Sequence, residues 1–196
     1  GNADLDDILR GQGGDDTLQG LSGDDLLEGG EGFDTADYSS GYVANEGIRV
    51  WMPTGEPGFL GDPSELVEPG SVLDPDGGMD ALSGIERVIG TSYDDIFVGD
   101  DGNQTFEGGA GSDRFYGGLG DDTLAGGTET DFFFYQGGID TIVGFDPAAE
   151  QISFQDSAAI FPVYSFADLA GIMSDDGVDT TIDFGGGNQV VLIGVV

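Results

Sequence analysis

The chain has 196 residues, 39 of them acidic against four arginines and no lysine, for a net charge of −35; compaction of so much like charge needs neutralising cations. Nucleic acid is disfavoured as a partner, and no apolar run reaches the ~18 residues of a membrane span, so no membrane insertion is expected. Cysteine and histidine are both absent, which excludes disulfides, thiolate or imidazole metal sites, and any histidine-dependent triad within the chain.

The chain opens at Gly1, directly before a repeat and without a secretory signal, and so reads as a piece of a longer protein. Residues 1–37 form a first repeat block. Its nine-residue units begin at Asn2, Gly11, Gly20 and Gly29, and their sixth positions are Asp7, Asp16, Asp25 and Asp34. Position 8 is Leu9, Leu18, Leu27 and Ala36. Residues 38–80 lose the repeat: 47–52 has strand-like composition, and 53–79, rich in Gly, Pro and acids, reads as a long loop. Its Asp74-Pro-Asp76-Gly-Gly segment is read as a solvated acidic turn in preference to an extra cation site.

Residues 81–143 form a second block, with units beginning at Ala81, Gly90, Gly99, Gly108, Gly117, Gly126 and Tyr135. Position 6 is Glu86, Asp95, Gln104, Asp113, Asp122, Asp131 and Asp140, and position 8 is Val88, Phe97, Phe106, Phe115, Leu124, Phe133 and Ile142. The insert is not a whole number of units, because the two blocks are out of phase. Residues 144–196 read as a small α+β cap over the open end of the array, which terminal units of a solenoid require. Strands are expected over 151–154, 178–184 and 189–195, with a helix from an Ser165 N-cap to Met173.

Glycines at positions 1, 2 and 4 permit turns closed to other residues, and residues 7–9 suffice for a short strand with residue 8 pointing inward. Two units then make one coil, so units eighteen residues apart stack ~4.8 Å apart. Phe97, Phe115 and Phe133 should stack on one wall, and Phe106, Leu124 and Ile142 on the other. Aspartates eighteen apart face a gap suited to a hard cation. Calcium takes six to eight oxygens at ~2.3–2.6 Å, whereas magnesium demands tighter octahedral geometry, so calcium is the expected ion. A core one side chain deep is too small to hold the carboxylates together unaided, so folding and calcium binding should be one event.

The pattern G-G-x-G-x-D-x-U-x, clearest in Gly-Gly-Ala-Gly-Ser-Asp-Arg-Phe-Tyr at 108–116 and Gly-Gly-Leu-Gly-Asp-Asp-Thr-Leu-Ala at 117–125, resembles the RTX (repeats-in-toxin) calcium-binding family. That resemblance implies an all-β fold: a right-handed parallel β-roll in two blocks, with the insert and the cap. It also implies export by type I secretion and an extracellular location. In the family, carbonyls of positions 2 and 4 plus Asp 6 of one turn meet carbonyls 1 and 3 plus Asp 6 two units later. Carried onto this chain, one site joins Gly109, Gly111 and Asp113 with Gly126, Thr128 and Asp131. A second joins Thr91, Tyr93 and Asp95 with Gly108, Ala110 and Asp113. A third joins Gly118, Gly120 and Asp122 with Tyr135, Gly137 and Asp140. In the first block the pairs are Asp7 with Asp25 and Asp16 with Asp34. Gln104 lacks a carboxylate, so its site with Asp122 should be weak or empty.

Position-5 carboxylates (Asp6, Asp15, Asp24, Asp94, Asp121) are expected to be solvated, and the arginines to form surface pairs. Trp51, Tyr42 and Phe59 could stack on a sugar, but filling a groove beside the roll is the preferred reading. The expected function is a calcium-triggered folding module, not itself an enzyme, covalently attached to further domains of a secreted protein. Adhesion or glycan binding through the 38–80 insert is the alternative.

Overall fold

The computed structural model describes residues 1, 5–42, 45–52, 70–154 and 172–195. The first block supplies β1 (Ile8–Gly13), β2 (Thr17–Leu18), β3 (Leu26–Glu31) and β4 (Thr35–Asp37). Then come β5 (Arg49–Trp51), β6 (Ser71–Leu73) and β7 (Met79–Ser83). The second block supplies β8 (Arg87–Ile89), β9 (Ile96–Val98), β10 (Thr105–Ala110), β11 (Arg114–Tyr116), β12 (Thr123–Thr128), β13 (Phe132–Tyr135) and β14 (Ile139–Val143). The C-terminal segment adds β15 (Gln151–Phe154), β16 (Met173–Asp175), β17 (Thr180–Gly185) and β18 (Asn188–Ile193).

Within the repeat blocks successive strands alternate between two walls, giving a parallel β-roll. Wall A runs β1-β3-β7-β6-β5-β9-β11-β13-β15, and wall B runs β2-β4-β8-β10-β12-β14-β18-β17-β16. Within each block the parallel register is eighteen residues: Leu9 pairs with Leu27, Leu18 with Ala36, Phe97 with Phe115, and Leu124 with Ile142. The sequence dictates this, because one nine-residue unit is one half-turn and position 8 always faces inward. Phe97 and Phe115 stack with ring centroids 5.0 Å apart, as do Phe115 and Phe133, and Phe106 meets Phe97 from the opposite wall at 5.2 Å. All four rings are buried, each contributing roughly 2–3 kcal/mol by removal from water.

The insert departs from expectation. Part of the segment read as loop is strand: β6 and the start of β7 fall in 53–79, while 53–69 lies outside the described residues. β7 pairs parallel with β3, β6 antiparallel with β7, β5 antiparallel with β6, and β9 parallel with β5. Wall B has no such detour, since β8 sits directly between β4 and β10. Wall A thus holds two extra strands between β7 and β9, about 10 Å of additional sheet at ~4.8 Å per strand. Trp51, in β5, is 4% exposed although it lies outside the core cluster that takes its neighbour Val50, so it is covered and offers no free stacking face. Phe59 lies outside the described residues.

The phase jump between blocks has a structural solution. Leu82 stacks on Leu27, a register of 55, while Val88 stacks on Ala36, a register of 52. The unit expected over 81–89 is therefore split. Residues 75–83 (Pro-Asp-Gly-Gly-Met-Asp-Ala-Leu-Ser) form a complete nine-residue unit on wall A, with Gly78, Asp80 and Leu82 at positions 4, 6 and 8. Residues 84–89 complete wall B in six residues instead of nine.

Among the described residues the regular elements of the C-terminal segment are all strands. The helix expected over 165–173 lies outside the described residues except at its end, where Met173 begins β16. β15 extends wall A on β13, and β18 extends wall B on β14, with β17 and β16 continuing it antiparallel. Phe154, Phe184 and Tyr135 pack together across the end of the core.

Candidate metal centres between the turns

The turns between strands are held by two sets of side-chain clips that run in opposite directions. The position-6 carboxylate of each turn accepts the backbone N–H of position 6 in the turn before. Asp7 N–H donates to Asp25 Oδ1 at 2.7 Å, Asp16 to Asp34 at 2.8 Å, Asp95 to Asp113 at 2.8 Å, and Asp113 to Asp131 at 2.9 Å. Asp122 N–H donates to Asp140 Oδ1 at 3.3 Å. The expected pairs are thus brought together through a main-chain donor.

Position 5 does the reverse, accepting an N–H from the following turn. Phe33 N–H donates to Asp15 at 2.9 Å, Ser112 to Asp94 at 2.8 Å, and Ile139 to Asp121 at 2.8 Å. These carboxylates are solvated as expected, but they also stitch the turns. Sequence reasoning missed that role, although the Asp at position 5 in several units was its visible signal.

The remaining position-6 oxygen decides what the gap can hold. Of the nine expected aspartate ligands, six (Asp16, Asp25, Asp34, Asp113, Asp122 and Asp131) keep Oδ2 buried without any hydrogen-bond donor. Such an oxygen costs free energy unless a charge satisfies it. Each points at the position-1 glycine of its own turn. A Cβ added at Gly11 would lie 2.6 Å from Asp16 Oδ2 and 2.6 Å from the Gly29 carbonyl oxygen. At Gly108 it would meet Asp113 Oδ2 and, at 2.8 Å, the Gly126 carbonyl oxygen. A carboxylate of one turn and the position-1 carbonyl two units later therefore converge on one cradle, which only glycine leaves open.

Burial raises the pKa of these carboxyls in the metal-free fold. Asp113 is pushed up to about 8, with Asp95 and Asp131 adding repulsion. Asp140 is likewise pushed up to about 8, Asp122 to about 7 and Asp95 to about 6, each chiefly by burial. Asp25 and Asp131 are raised for the same reason. Among the described residues no three His, Cys, Asp or Glu side chains converge on a metal-sized point, so any ion here must also take backbone oxygens. That donor set, hard and all-oxygen, fits calcium.

Individual sites differ. In the site expected around Asp113, the contacts join Asp113, Asp131 and the Gly126 carbonyl. In the site expected around Asp95, Asp95 Oδ2 and the Gly108 carbonyl converge on Gly90. There Asp95 also accepts Thr91 N–H at 2.7 Å, Thr91 Oγ1 at 2.9 Å and Ile48 N–H at 2.6 Å, so its charge is largely satisfied by the protein. At Gln104 the side-chain amide occupies the carboxylate position: Oε1 accepts Asp100 N–H at 3.2 Å and Nε2 donates to Asp100 Oδ1 at 2.6 Å. The neutral amide closes that cradle with its own partners.

Three acids that sequence reasoning left outside the ligand set extend the ladders. Asp80 Oδ1 accepts Asp25 N–H at 3.0 Å, as a position-6 residue should, but its Oδ2 accepts the Tyr38 hydroxyl at 2.8 Å. Asp80 is fully buried and pushed up to about 7 by burial. Glu86 Oε2 accepts Asp34 N–H at 2.9 Å. Glu150 lies beside Asp131 at the end of wall A and is pushed up to about 7 by burial. The Gly78-x-Asp80-x-Leu82 spacing was the readable signal for Asp80. Glu150 had none, because its register on Asp131 is nineteen. Arg10 pairs with Glu28 at the exposed surface, and Arg87 with Glu107 at 2.6 Å in a partly buried pair.

A sequence model of the RTX calcium-binding nonapeptide repeat (4 copies) matches residues 3–36, 80–113, 98–133 and 107–142. No curated protein matches the chain. Among solved structures, the extracellular lipase LipA from Serratia marcescens aligns with 19% identity and a TM-score of 0.34, over 99% of this chain and 37% of that one. The chain spans little more than a third of the length of that structure. With its nonapeptides stacked at eighteen-residue register and their carboxylates aimed into glycine cradles, the chain belongs to the RTX calcium-binding repeat family.

Proposed function

We propose that this chain is a calcium-dependent folding module of a secreted protein, disordered where calcium is scarce and assembled into the β-roll outside the cell. The observation that carries this reading is the set of six buried position-6 oxygens with no donor. The ligand sets are those given above, with Gly109, Gly111 and Thr128 completing the Asp113–Asp131 site through their carbonyls. Thr91, Tyr93 and Ala110 serve the Asp95–Asp113 site. Gly118, Gly120, Tyr135 and Gly137 serve the Asp122–Asp140 site. Bound calcium supplies the positive charge that the buried carboxylates lack. The protein supplies the rest: glycines that keep the cradles open, N–H clips that fix one carboxylate oxygen, and an apolar column that sets the spacing.

A cation present at ~1,000 times its dissociation constant stabilises the fold by ~4 kcal/mol per site, enough for several sites to act as a switch. The folded roll would then stabilise or present a covalently attached domain. We assign 1–37 and 81–143 as the repeat blocks, 38–80 as the insert, with its end in the roll, and 144–196 as the cap. Far-UV circular dichroism during a calcium titration tests this, with magnesium as control. A cooperative gain of β signal near millimolar calcium, absent with magnesium, is expected. A chain already folded in chelator would refute the coupling.

A further inference from the structure

We propose that Asp74, outside every repeat, is a ligand of an additional calcium site that fastens the β6–β7 turn to the first repeat block. This rests on the calcium-dependent reading above and extends it to the insert. Asp74 is 3% exposed, and its Oδ2 has no hydrogen-bond donor. Its Oδ1 is occupied by Gly78 N–H at 2.9 Å. A Cβ added at Gly78 would meet both Asp74 Oδ2, at 2.7 Å, and the Gly23 carbonyl oxygen. The orphaned oxygen and a carbonyl of the neighbouring turn thus converge on one glycine, as Asp16 and Gly29 do on Gly11.

The gap around this point is built as a repeat gap. Met79 N–H donates to Asp24 Oδ1 at 2.9 Å and Asp25 N–H to Asp80 Oδ1 at 3.0 Å, the two clips found between regular turns. Ser22 Oγ adds a bond to Asp76 Oδ2 at 2.6 Å. One feature is changed: the second oxygen of Asp80 is taken by the Tyr38 hydroxyl. Asp74 restores a carboxylate to the gap. The chain has no lysine; of its arginines, Arg49 and Arg114 line the cavity beside Asp74, but Asp74 Oδ2 accepts a hydrogen bond from neither. A hard divalent cation ligated by carboxylate, carbonyl and water answers the orphaned charge of Asp74.

The decisive measurement is anomalous scattering from crystals of the chain grown with calcium. A peak within ligating distance of Asp74 Oδ2 and the Gly23 carbonyl supports the site. Peaks at the repeat cradles with none at Asp74 overturn it and leave the folding reading intact, whereas no calcium anywhere overturns both. Native mass spectrometry at saturating calcium gives the solution counterpart. Asp74→Asn should bind one ion fewer than the parent chain, with Asp76→Asn as control at the parent count. An unchanged count in folded Asp74→Asn refutes the assignment, and if that variant does not fold the scattering experiment alone decides.

Discussion

Removing calcium should make the fold of this chain strongly dependent on pH, in the direction opposite to ordinary acid denaturation. In the metal-free fold, burial lifts Asp113 and Asp140 to about 8, Asp80 and Asp122 to about 7, and Asp95 to about 6, from an ordinary value of 3.8. A carboxyl with a raised folded pKa holds its proton more tightly in the folded than in the unfolded chain. Its stabilising contribution is full below the unfolded value and is lost as pH rises through the folded one. The window is therefore about pH 4 to 8. Between the unfolded value and its own folded value each such carboxyl changes stability by ~1.4 kcal/mol per pH unit. From pH 5 to pH 7 these mutually interacting carboxyls together cost the metal-free fold several kcal/mol, on the scale of the ~5–15 kcal/mol that holds a typical domain together.

Calcium replaces those protons, so its binding at pH 7 should release protons and its apparent affinity should fall as pH is lowered. The assay is far-UV circular dichroism of metal-free protein from pH 8 to pH 5, above the sequence pI of about 4.1, together with pH-stat measurement of proton release on adding calcium. Gain of β signal on acidification and proton uptake on chelation are expected. A metal-free signal that does not change with pH, with calcium binding that releases no protons, would refute the electrostatic argument.

Three further outcomes are expected. Phe115→Ala removes a ring stacked at 5.0 Å on both Phe97 and Phe133, at a cost of about 3–5 kcal/mol; the calcium midpoint for folding should rise, and an unchanged midpoint would deny the aromatic column its role. Tyr38→Phe strips the donor from Asp80 Oδ2 and should destabilise the calcium-loaded roll by about 1–3 kcal/mol, read by denaturant unfolding at saturating calcium. Gln104→Asp replaces the amide that closes its cradle, so ion counting by native mass spectrometry should find one more calcium than in the parent chain.

How much of the molecule is legible without coordinates differs from element to element. The nine-residue spacing alone determined the eighteen-residue stacking, the assignment of Phe97, Phe115 and Phe133 to one wall, and the pairing of Asp7 with Asp25 and Asp16 with Asp34. That follows because each unit carries its own turn glycines and its own inward residue, so its half-turn is decided locally and neighbours repeat it. The path of the insert was decided only by tertiary structure. β5, β6 and β7 enter wall A because the edges of β3 and β9 offer unpaired main-chain groups, and no local pattern states which edge a three-residue strand will join. The same holds for Asp80 and Glu150. Their place in the ladders depends on registers of 55 and 19, which arise where the repeat is interrupted and the hydrogen-bond ladder, rather than the spacing of glycines, chooses the partner.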